Sequence, residues 1–321
     1  MTQETDNFIE DNKNFNFSKI KNLKCGENPH QKAALYSYDK ELDWEILQGS
    51  DLTYNNIIDS TTALEVISEF FDVAALAVIN HGRIDAVALG VDIINAWDKI
   101  LDSDPTCYYR STISTTREVT LEFAKKISSL PLKVILSPYY SKDALLELKK
   151  NKNLKVVKIN TPYEKIIKFN NEEIKLTPFG ALIQQKDIED LNVETFKVVT
   201  NKKPQQKEAE DMIFAFKVAK HAQSCAIVIA KDLRTLGVIS GEANRSRAVE
   251  LAITKVCDSL KDTVIASDGF FSTPDAVQIA AQNRICAIIQ PMGSVHDKEI
   301  VDMCNKYNIS MISTGIRHIK H

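Results

Sequence analysis

His81 is the residue with the clearest capacity for chemistry, and it directly follows the apolar run Ala74–Asn80. A histidine can act as a general base near neutral pH. Polar residues at the carboxyl ends of buried parallel strands are where ligands meet α/β sheets, and the run predicts such a strand. On spacing alone, a surface histidine at a strand end is about as well supported.

A second candidate, for anion binding, is the segment 237–247, which joins a predicted strand to a predicted helix. Gly241 and a helix beginning at Asn244 would present backbone amides to an anion, and Arg245 and Arg247 would add positive charge. An ordinary connection with a solvated arginine face is the alternative interpretation.

Two further strand-to-helix loops contain residues that suit a binding site. In segment 267–275, Thr273 and Pro274 are typical of a helix start, and the adjacent Phe270 and Phe271 predict a pocket or interface lining rather than a plain core pair. Segment 290–297 carries an S-x-x-D capping pattern. The basic C-terminal residues 314–321 follow a predicted strand, so we expect them to be tied down.

The elements that must position these residues alternate between short apolar strands and amphipathic helices along most of the chain. This alternation predicts the α/β class with largely parallel sheets. Residues 160–205 are more polar and predict a connector with short strands, so the chain divides into two α/β halves. The first 20 residues predict a polar extension.

Composition excludes several classes of function. A net charge of −3 gives no signature of a nucleic-acid partner. The start has no apolar segment of a signal peptide, and no stretch is long enough for a membrane span, so we expect a cytoplasmic protein without membrane contact. The six cysteines form no CxxC pair, which argues against a disulfide framework or a zinc site.

Taken together, the segments resemble the formyl-transferring domain of the bifunctional purine-biosynthesis family, which formylates aminoimidazole carboxamide ribotide (AICAR). The resemblance covers roughly residues 18–321, in the family's order: GENPHQ, LTYNNIIDS, AKHAQSCAIVIAKDLRTLGV, GEANRSR, ASDGFFSTPD, CAIIQPMGSVHDKE and TGIRHIKH. GENPHQ alone indicates only a turn, but the joint match is highly specific. The family's cyclohydrolase domain is not expected in this chain.

The resemblance implies two tandem cytidine-deaminase-like α/β subdomains. We expect an extension at 1–20, a first subdomain with connector at 21–200 and a second subdomain at 201–321. It also implies a homodimer with active sites between subunits, 10-formyltetrahydrofolate as formyl donor, an AICAR-like nucleotide as acceptor, and no metal.

Carried over by position, the resemblance makes His81 and Asn80 the catalytic residues. Asn80 stands where the family has a lysine, and an amide can donate a hydrogen bond to an oxyanion but carries no positive charge. Lys24 replaces a phosphate-binding arginine and keeps the charge without the bidentate fork. Arg110 and Ser111 replace two glycines. The implied substrate-binding residues are Lys24, Asn56, Asp59, Tyr109, Cys225, Arg245, Phe270, Asp275 and Arg317.

Three hypotheses are consistent with these residues. The first is formyl transfer from 10-formyltetrahydrofolate to AICAR, weak or altered because of Asn80; the retained His81 and Arg245 favour it. The second is a divergent paralogue that binds a phosphorylated small molecule with changed chemistry. The third is a non-catalytic subunit that pairs with an active relative.

Overall fold

Twelve strands form one mixed sheet, with helices on both faces, in the residues that the structure describes. The structure is a computed structural model, and it describes residues 13–38, 42–168, 172–189, 191–256 and 260–321. The α/β class expected from the sequence is therefore confirmed.

The first half of the chain supplies one side of the sheet and a separate two-stranded ribbon. Its first helix has a capping box, in which the Thr53 hydroxyl accepts a hydrogen bond from the Asn56 amide and the Asn56 side chain accepts one from the Thr53 amide. The elements are β1 (Phe17–Leu23), β2 (Ala33–Tyr38), β3 (Trp44–Gln48), α1 (Tyr54–Ser68), β4 (Ala74–Asn80), β5 (Arg83–Gly90), α2 (Ile93–Ser103), β6 (Thr112–Thr115), α3 (Leu121–Ile127), β7 (Val134–Ser137), α4 (Lys142–Leu148) and β8 (Lys155–Ile159).

The connector and the second half follow. The connector carries short elements, as expected: α5 (Tyr163–Ile166), β9 (Glu172–Thr177), β10 (Gly180–Gln185), a 3₁₀ helix (Val193–Thr195) and β11 (Lys197–Val198). The second half contains α6 (Gln206–His221), β12 (Ile227–Lys231), β13 (Arg234–Ile239), α7 (Arg245–Lys255), β14 (Val264–Ser267), α8 (Asp275–Gln282), β15 (Ala287–Gln290), α9 (Asp297–Lys306) and β16 (Ser310–Ser313).

The two halves repeat one topology. The strand order across the sheet is β11-β16-β15-β14-β12-β13-β5-β4-β6-β7-β8-β3, which is symmetric about the boundary between β13 and β5. Each half has an edge strand, a helix, a β-hairpin and three helix–strand units. At the boundary, Arg234 pairs with Ala88, and the Leu89 amide donates to the Leu233 carbonyl at 2.9 Å. The domain boundaries and the cytidine-deaminase-like character of each half stay predictions.

The expectation of a largely parallel sheet is wrong. Among the described strands, β6–β7–β8 and β14–β15–β16 run parallel, whereas β4–β5 and β12–β13 are antiparallel hairpins. Each hairpin turns through two residues with positive φ: His81 (53°) and Gly82 (69°), and Asp232 (52°) and Leu233 (57°). Neither turn has the Asn-Gly or Asp-Gly signature of a two-residue hairpin, so neither hairpin was predicted from its turn residues.

The sheet is buried on both faces, which explains why β4 is apolar at every core position. Ala75, Ala77 and Ile79 pack in the core that contains α1 and α6, whereas Leu76 and Val78 pack in the core that contains α2 and α3. Full burial of a Leu, Ile or Val side chain contributes about 1.5–3 kcal/mol. A one-residue slip would exchange the two faces, so packing fixes the register that carries Asn80 to the strand end.

The two ends of the chain were predicted to differ, with a polar extension at the N-terminus and a segment attached to the fold at the C-terminus. Of the predicted polar extension, residues 1–12 lie outside the described residues, and β1 begins at Phe17. The C-terminal segment is tied down, as predicted. His318 is buried, its amide donates to the Asp268 carbonyl at 3.0 Å and its ring lies 2.7 Å from the Asp187 carboxylate, while Lys320 pairs with Glu65 at 2.9 Å.

Two carboxylates, one in the last turn of α1 and one at its C-cap, face cations from other segments. Glu65 also pairs with Lys186 at 3.0 Å, and Glu69 contacts Lys220 at 3.0 Å and His221 at 2.9 Å. Burial by itself raises the pKa of each carboxyl, but the surrounding cations outweigh it and lower both pKa values to about 2. These pairs attach the connector, α6 and the C-terminus to α1.

This cluster makes a pH-dependent contribution to stability. A carboxyl whose pKa is lowered on folding stabilises the fold above its usual pKa, and the contribution is lost as pH falls through the folded value. The contribution of Glu65 should therefore disappear between pH 4.5 and about 2. We expect Glu65→Gln to be less stable at pH 7 and to lose less stability over that window, measured by urea unfolding. Glu250→Gln, which removes an exposed pair with Arg247, is the control. Equal pH slopes for wild type and Glu65→Gln would contradict this assignment.

Candidate functional site

The predicted site residues lie at one end of the twelve-stranded sheet. In the first half this end is formed by the last residues of β4 and the first of β6 and β7, since Ile79 pairs with Thr112 and Thr112 with Val134. In the second half it is formed by the start of β12 and the end of β14, since Ile227 pairs with Ser267. Sheet register therefore makes neighbours of residues that are distant in sequence.

Asn80 and His81 occupy a hairpin turn, so the expectation that they end a parallel strand is corrected. Asn80 is the last residue of β4, and His81 is the first turn residue and is exposed. A φ of 53° is uncommon for a residue other than glycine, although histidine tolerates it better than most. The turn places the imidazole beyond the strand, where it is open to a ligand.

Asp59 of α1 holds this turn. Its carboxylate accepts a hydrogen bond from the Gly82 amide at 2.7 Å, and the residue is buried. Burial raises the pKa of Asp59, and the Gly82 amide and the charges of Lys133 and His81 oppose that rise. Asp59 thus supports the backbone beneath His81, a structural role that the resemblance to a substrate-binding residue does not describe.

A cavity of about 490 Å³ has a lining rich in cations, one of which, Lys133, lies 3.5 Å from the Asn80 side chain. Asn56 and Tyr109, both predicted site residues, line it together with Arg110, Lys133 and Lys155. Arg110 has a φ of 57°, so it keeps a glycine-like backbone at a position where the resemblance implies a glycine. The side chain of Arg110 therefore adds charge to the cavity without changing the turn.

A further predicted residue, Lys24, lies near Lys155 of this cavity. Burial lowers the pKa of Lys155, Asp51 opposes that change, and Lys24 lies close enough to add to it. Lys24 itself is exposed. Asn56 is buried, and its side-chain oxygen accepts from the Thr53 amide at 3.3 Å, so its amide nitrogen is the group left for a ligand. We define Lys24, Asn56, Asp59, Asn80, His81 and Tyr109 as the first cluster.

In the second half, Arg245 is fixed by buried groups. Its guanidinium donates to the Asp268 carboxylate at 3.1 Å and to the Ser267 hydroxyl at 3.3 Å. Asp268 is fully buried and also accepts from the Ser224 hydroxyl and the Ala226 amide. A Cβ at position 269 would lie 2.1 Å from the guanidinium, so Gly269 gives Arg245 its room.

The remaining predicted residues surround Arg245. The Arg317 guanidinium stacks on Phe270 at 4.5 Å from the ring centre. Cys225 and Arg245 line a cavity of about 140 Å³ with residues of the α8 loop, and Asp275 is exposed at the start of α8. Phe271 is fully buried and also lines this cavity. We define Cys225, Arg245, Phe270, Asp275 and Arg317 as the second cluster.

The helix starts in this region are close to the predicted ones. Asn244 caps α7, as predicted, with its side chain accepting from the amides of Ser246 and Arg247. Thr273, expected to cap α8, does not cap it, because the helix begins one residue later than predicted, after Pro274. The Thr273 hydroxyl donates instead to the Asp275 carboxylate at 3.1 Å.

The two clusters are neighbours along the sheet end. Between them, the Gly241 amide donates to the Gln223 carbonyl at 2.8 Å, and the Cys225 amide donates to the Glu242 carbonyl at 3.1 Å. Lys133, Lys155 and Asp268 were not predicted. Asp268 lies in segment 267–275, which carries part of the family resemblance, so the sequence marked it as close to a site residue. The two lysines, by contrast, reach the site only because their strands pair with neighbouring ones.

Comparison with known proteins identifies the family. A family profile described as "AICARFT/IMPCHase bienzyme" matches residues 1–255. The chain belongs to this family. Similar relatives, each called bifunctional purine biosynthesis protein PurH, come from Caldicellulosiruptor saccharolyticus (41% identity, 94% of this chain and 59% of the relative), Acetivibrio thermocellus (39%, 95% and 60%) and Thermoanaerobacter sp. (40%, 96% and 60%). The chain thus spans about 60% of the length of these AICARFT/IMPCHase relatives.

The described ranges contain neither a cluster of metal-ligand side chains nor a helix that could span a membrane. No group of three or more His, Cys, Asp or Glu side chains comes together there as a metal site would require. No described helix of this AICARFT/IMPCHase member is both long enough and apolar enough to cross a membrane.

The Asp59 contact gives a stability prediction. Asp59→Ala leaves the Gly82 amide without its acceptor, and an unsatisfied buried donor costs about 1–3 kcal/mol. Asp59→Asn keeps an oxygen in place, so we expect it to retain most of the stability, measured as the free energy of unfolding in urea. Equal losses in both variants would mean that the charge of Asp59, and not its hydrogen bond, stabilises the turn.

Proposed function

We propose that this AICARFT/IMPCHase member transfers the formyl group of 10-formyltetrahydrofolate to the 5-amino group of AICAR, in de novo purine biosynthesis. The observation that carries the proposal is that Asn80 and His81 lie at the same sheet end as Arg245, and that Lys133 of a cation-lined cavity lies 3.5 Å from the Asn80 side chain. A cytoplasmic setting belongs to the proposal and fits cysteines that form no CxxC pair.

The reaction needs a base, an oxyanion donor and a proton for the leaving nitrogen. The acceptor amine is conjugated to a carboxamide and is a poor nucleophile, so His81 takes its proton as the nitrogen attacks the formyl carbon. The formyl oxygen becomes an oxyanion, to which the Asn80 amide nitrogen can donate. Collapse breaks the bond to the folate nitrogen, which receives the proton that His81 took from the amine, and gives the formylated nucleotide and tetrahydrofolate.

The charge of the cavity suits the nucleotide. Arg110, Lys133 and Lys155 line it, and in the described ranges none of the three forms an ion pair with a carboxylate. A phosphate dianion would supply the missing negative charge, with Lys24 nearby. A volume of about 490 Å³ lies within the ~300–1,000 Å³ range of small-molecule sites.

The folate co-substrate needs a larger binding surface than one copy of the chain provides. Phe270 under Arg317 and the exposed Tyr109 provide flat surfaces for a heteroaromatic ring. The second-half cavity beside Arg245 measures about 140 Å³, below the ~300 Å³ of a typical ligand pocket. We therefore include in the proposal a homodimer in which the partner copy completes the site.

A turnover assay with AICAR and 10-formyltetrahydrofolate tests the proposal directly. We expect product with the wild-type chain and a loss of roughly 10²–10⁴-fold in kcat for His81→Asn, because asparagine tolerates the positive φ but is not a base. Asp232→Asn, in the corresponding turn of the second half, is the matched control and should keep full activity. No product at high wild-type concentration would refute formyl transfer, and tight AICAR binding in that case would favour the divergent paralogue.

Complementation tests the shared site. His81→Asn disables the first cluster and Arg245→Ala the second, so each variant should be inactive alone. If one copy supplies the first cluster and its partner the second, refolding an equal mixture should restore about a quarter of wild-type activity, since half of the random dimers contain one intact site of two. Activity no greater than the sum of the separate variants would place both clusters in a site within one chain.

A further inference from the structure

The cation that contacts Asn80 is Lys133, the residue that precedes β7. The Lys133 ammonium lies 3.5 Å from the Asn80 side-chain oxygen, a long contact in which the charge still acts on the amide dipole. Backbone pairing creates this proximity. The Lys133 amide donates to the Ser111 carbonyl at 2.9 Å, one residue before the rung that joins Ile79, Thr112 and Val134.

The contact fixes which way the Asn80 amide faces. An ammonium group has donors and no acceptor, so the oxygen of the carboxamide must face Lys133. The amide nitrogen of Asn80 then points away from Lys133 and has no hydrogen-bond acceptor within the described part of the chain. Asn80 therefore offers two N–H donors that a ligand can use.

The charge of Lys133 is only partly balanced. Asp59 is the carboxylate that Lys133 influences electrostatically. Burial raises the pKa of Asp59, and the Gly82 amide and the charge of Lys133 only partly oppose that rise. Arg110 and Lys155 line the same cavity as Lys133 and are also cationic. Lys133 therefore adds positive potential at Asn80, which strengthens the Asn80 N–H donors toward an oxyanion.

We propose that Lys133 is a positioning residue that orients Asn80 as the oxyanion donor and supplies the positive charge that an amide at position 80 lacks. This inference rests on the proposed formyl transfer. As the amine nitrogen bonds to the formyl carbon, the electron pair of the C=O bond moves to oxygen, and Asn80 donates to that oxygen under the field of Lys133. The proton of the amine goes to His81, so Lys133 keeps its own proton.

Substitution of Lys133 should change turnover more than nucleotide binding. We expect Lys133→Met to lower kcat by up to roughly 10²-fold, as misplacement of a catalytic group does, with a smaller change in the KM for AICAR. Lys155→Met, which removes a cavity cation that does not contact Asn80, should instead raise that KM. In the Lys133→Met background, Asn80→Lys returns an ammonium from the neighbouring strand and should recover part of the lost kcat.

A second measurement follows Asn80 without turnover. The side-chain N–H₂ resonances of Asn80, assigned by their loss in Asn80→Asp, should shift in Lys133→Met and not in Lys142→Met, a surface change on α4. Unchanged resonances in Lys133→Met overturn the positioning role, whatever the activity. Full kcat in Lys133→Met also overturns it. A wild-type chain without formyl transfer refutes the proposed function instead, and the resonances still decide whether Lys133 orients Asn80.

Discussion

The two residues with positive φ between β4 and β5, His81 and Gly82, are the constraint on which the arrangement depends. By reversing the chain in two residues they return β5 alongside β4, and β5 then pairs with β13 on its other side, so that the two halves share one sheet. The same turn carries the imidazole beyond the strand end. The second half closes its own hairpin with Asp232 and Leu233 at similar angles, so the backbone geometry does not itself require histidine. The proposed role of His81 as a base would account for a histidine at this position, which the turn geometry does not.

The sequence predicted the elements better than their directions. Runs such as Ala74–Asn80 and the amphipathic α6 and α9 were identified because burial on one or both faces leaves a regular pattern. The antiparallel hairpins were missed because their turns lack the usual residues and their strands are apolar at consecutive positions. Direction is then decided by the length of the connection, and two residues permit only an antiparallel return.

The candidate site divides in the same way. His81, Asn56 and Arg245 lie in segments that resemble the AICARFT/IMPCHase family, and all three lie at the same end of the sheet. Lys133 could not be predicted, because its relation to Asn80 exists only after β6 has been inserted between β4 and β7. Asn80 and Lys133 are 53 positions apart in the sequence, and the chain between them carries no local signal of the contact. The roles of Gly269 and Asp268, which are to leave room for the Arg245 guanidinium and to bind it, likewise become visible only in the folded structure.

The two clusters differ in how their charge is balanced, and this difference assigns their roles within the proposed reaction. Arg245 is held by a fully buried carboxylate, two further donors occupy that carboxylate, and the guanidinium has little freedom to respond to an anion. Lys133, Lys155 and Arg110 have no carboxylate within ion-pair distance among the described residues, so an anion entering their cavity gains attraction without first breaking a pair. A charged nucleotide should therefore bind first beside the first cluster. Because Lys133 of that cavity contacts Asn80, the residue before His81, the proposed reaction would bind negative charge and accept a proton close together. The proposed oxyanion would then be stabilised by cations that the phosphate only partly neutralises.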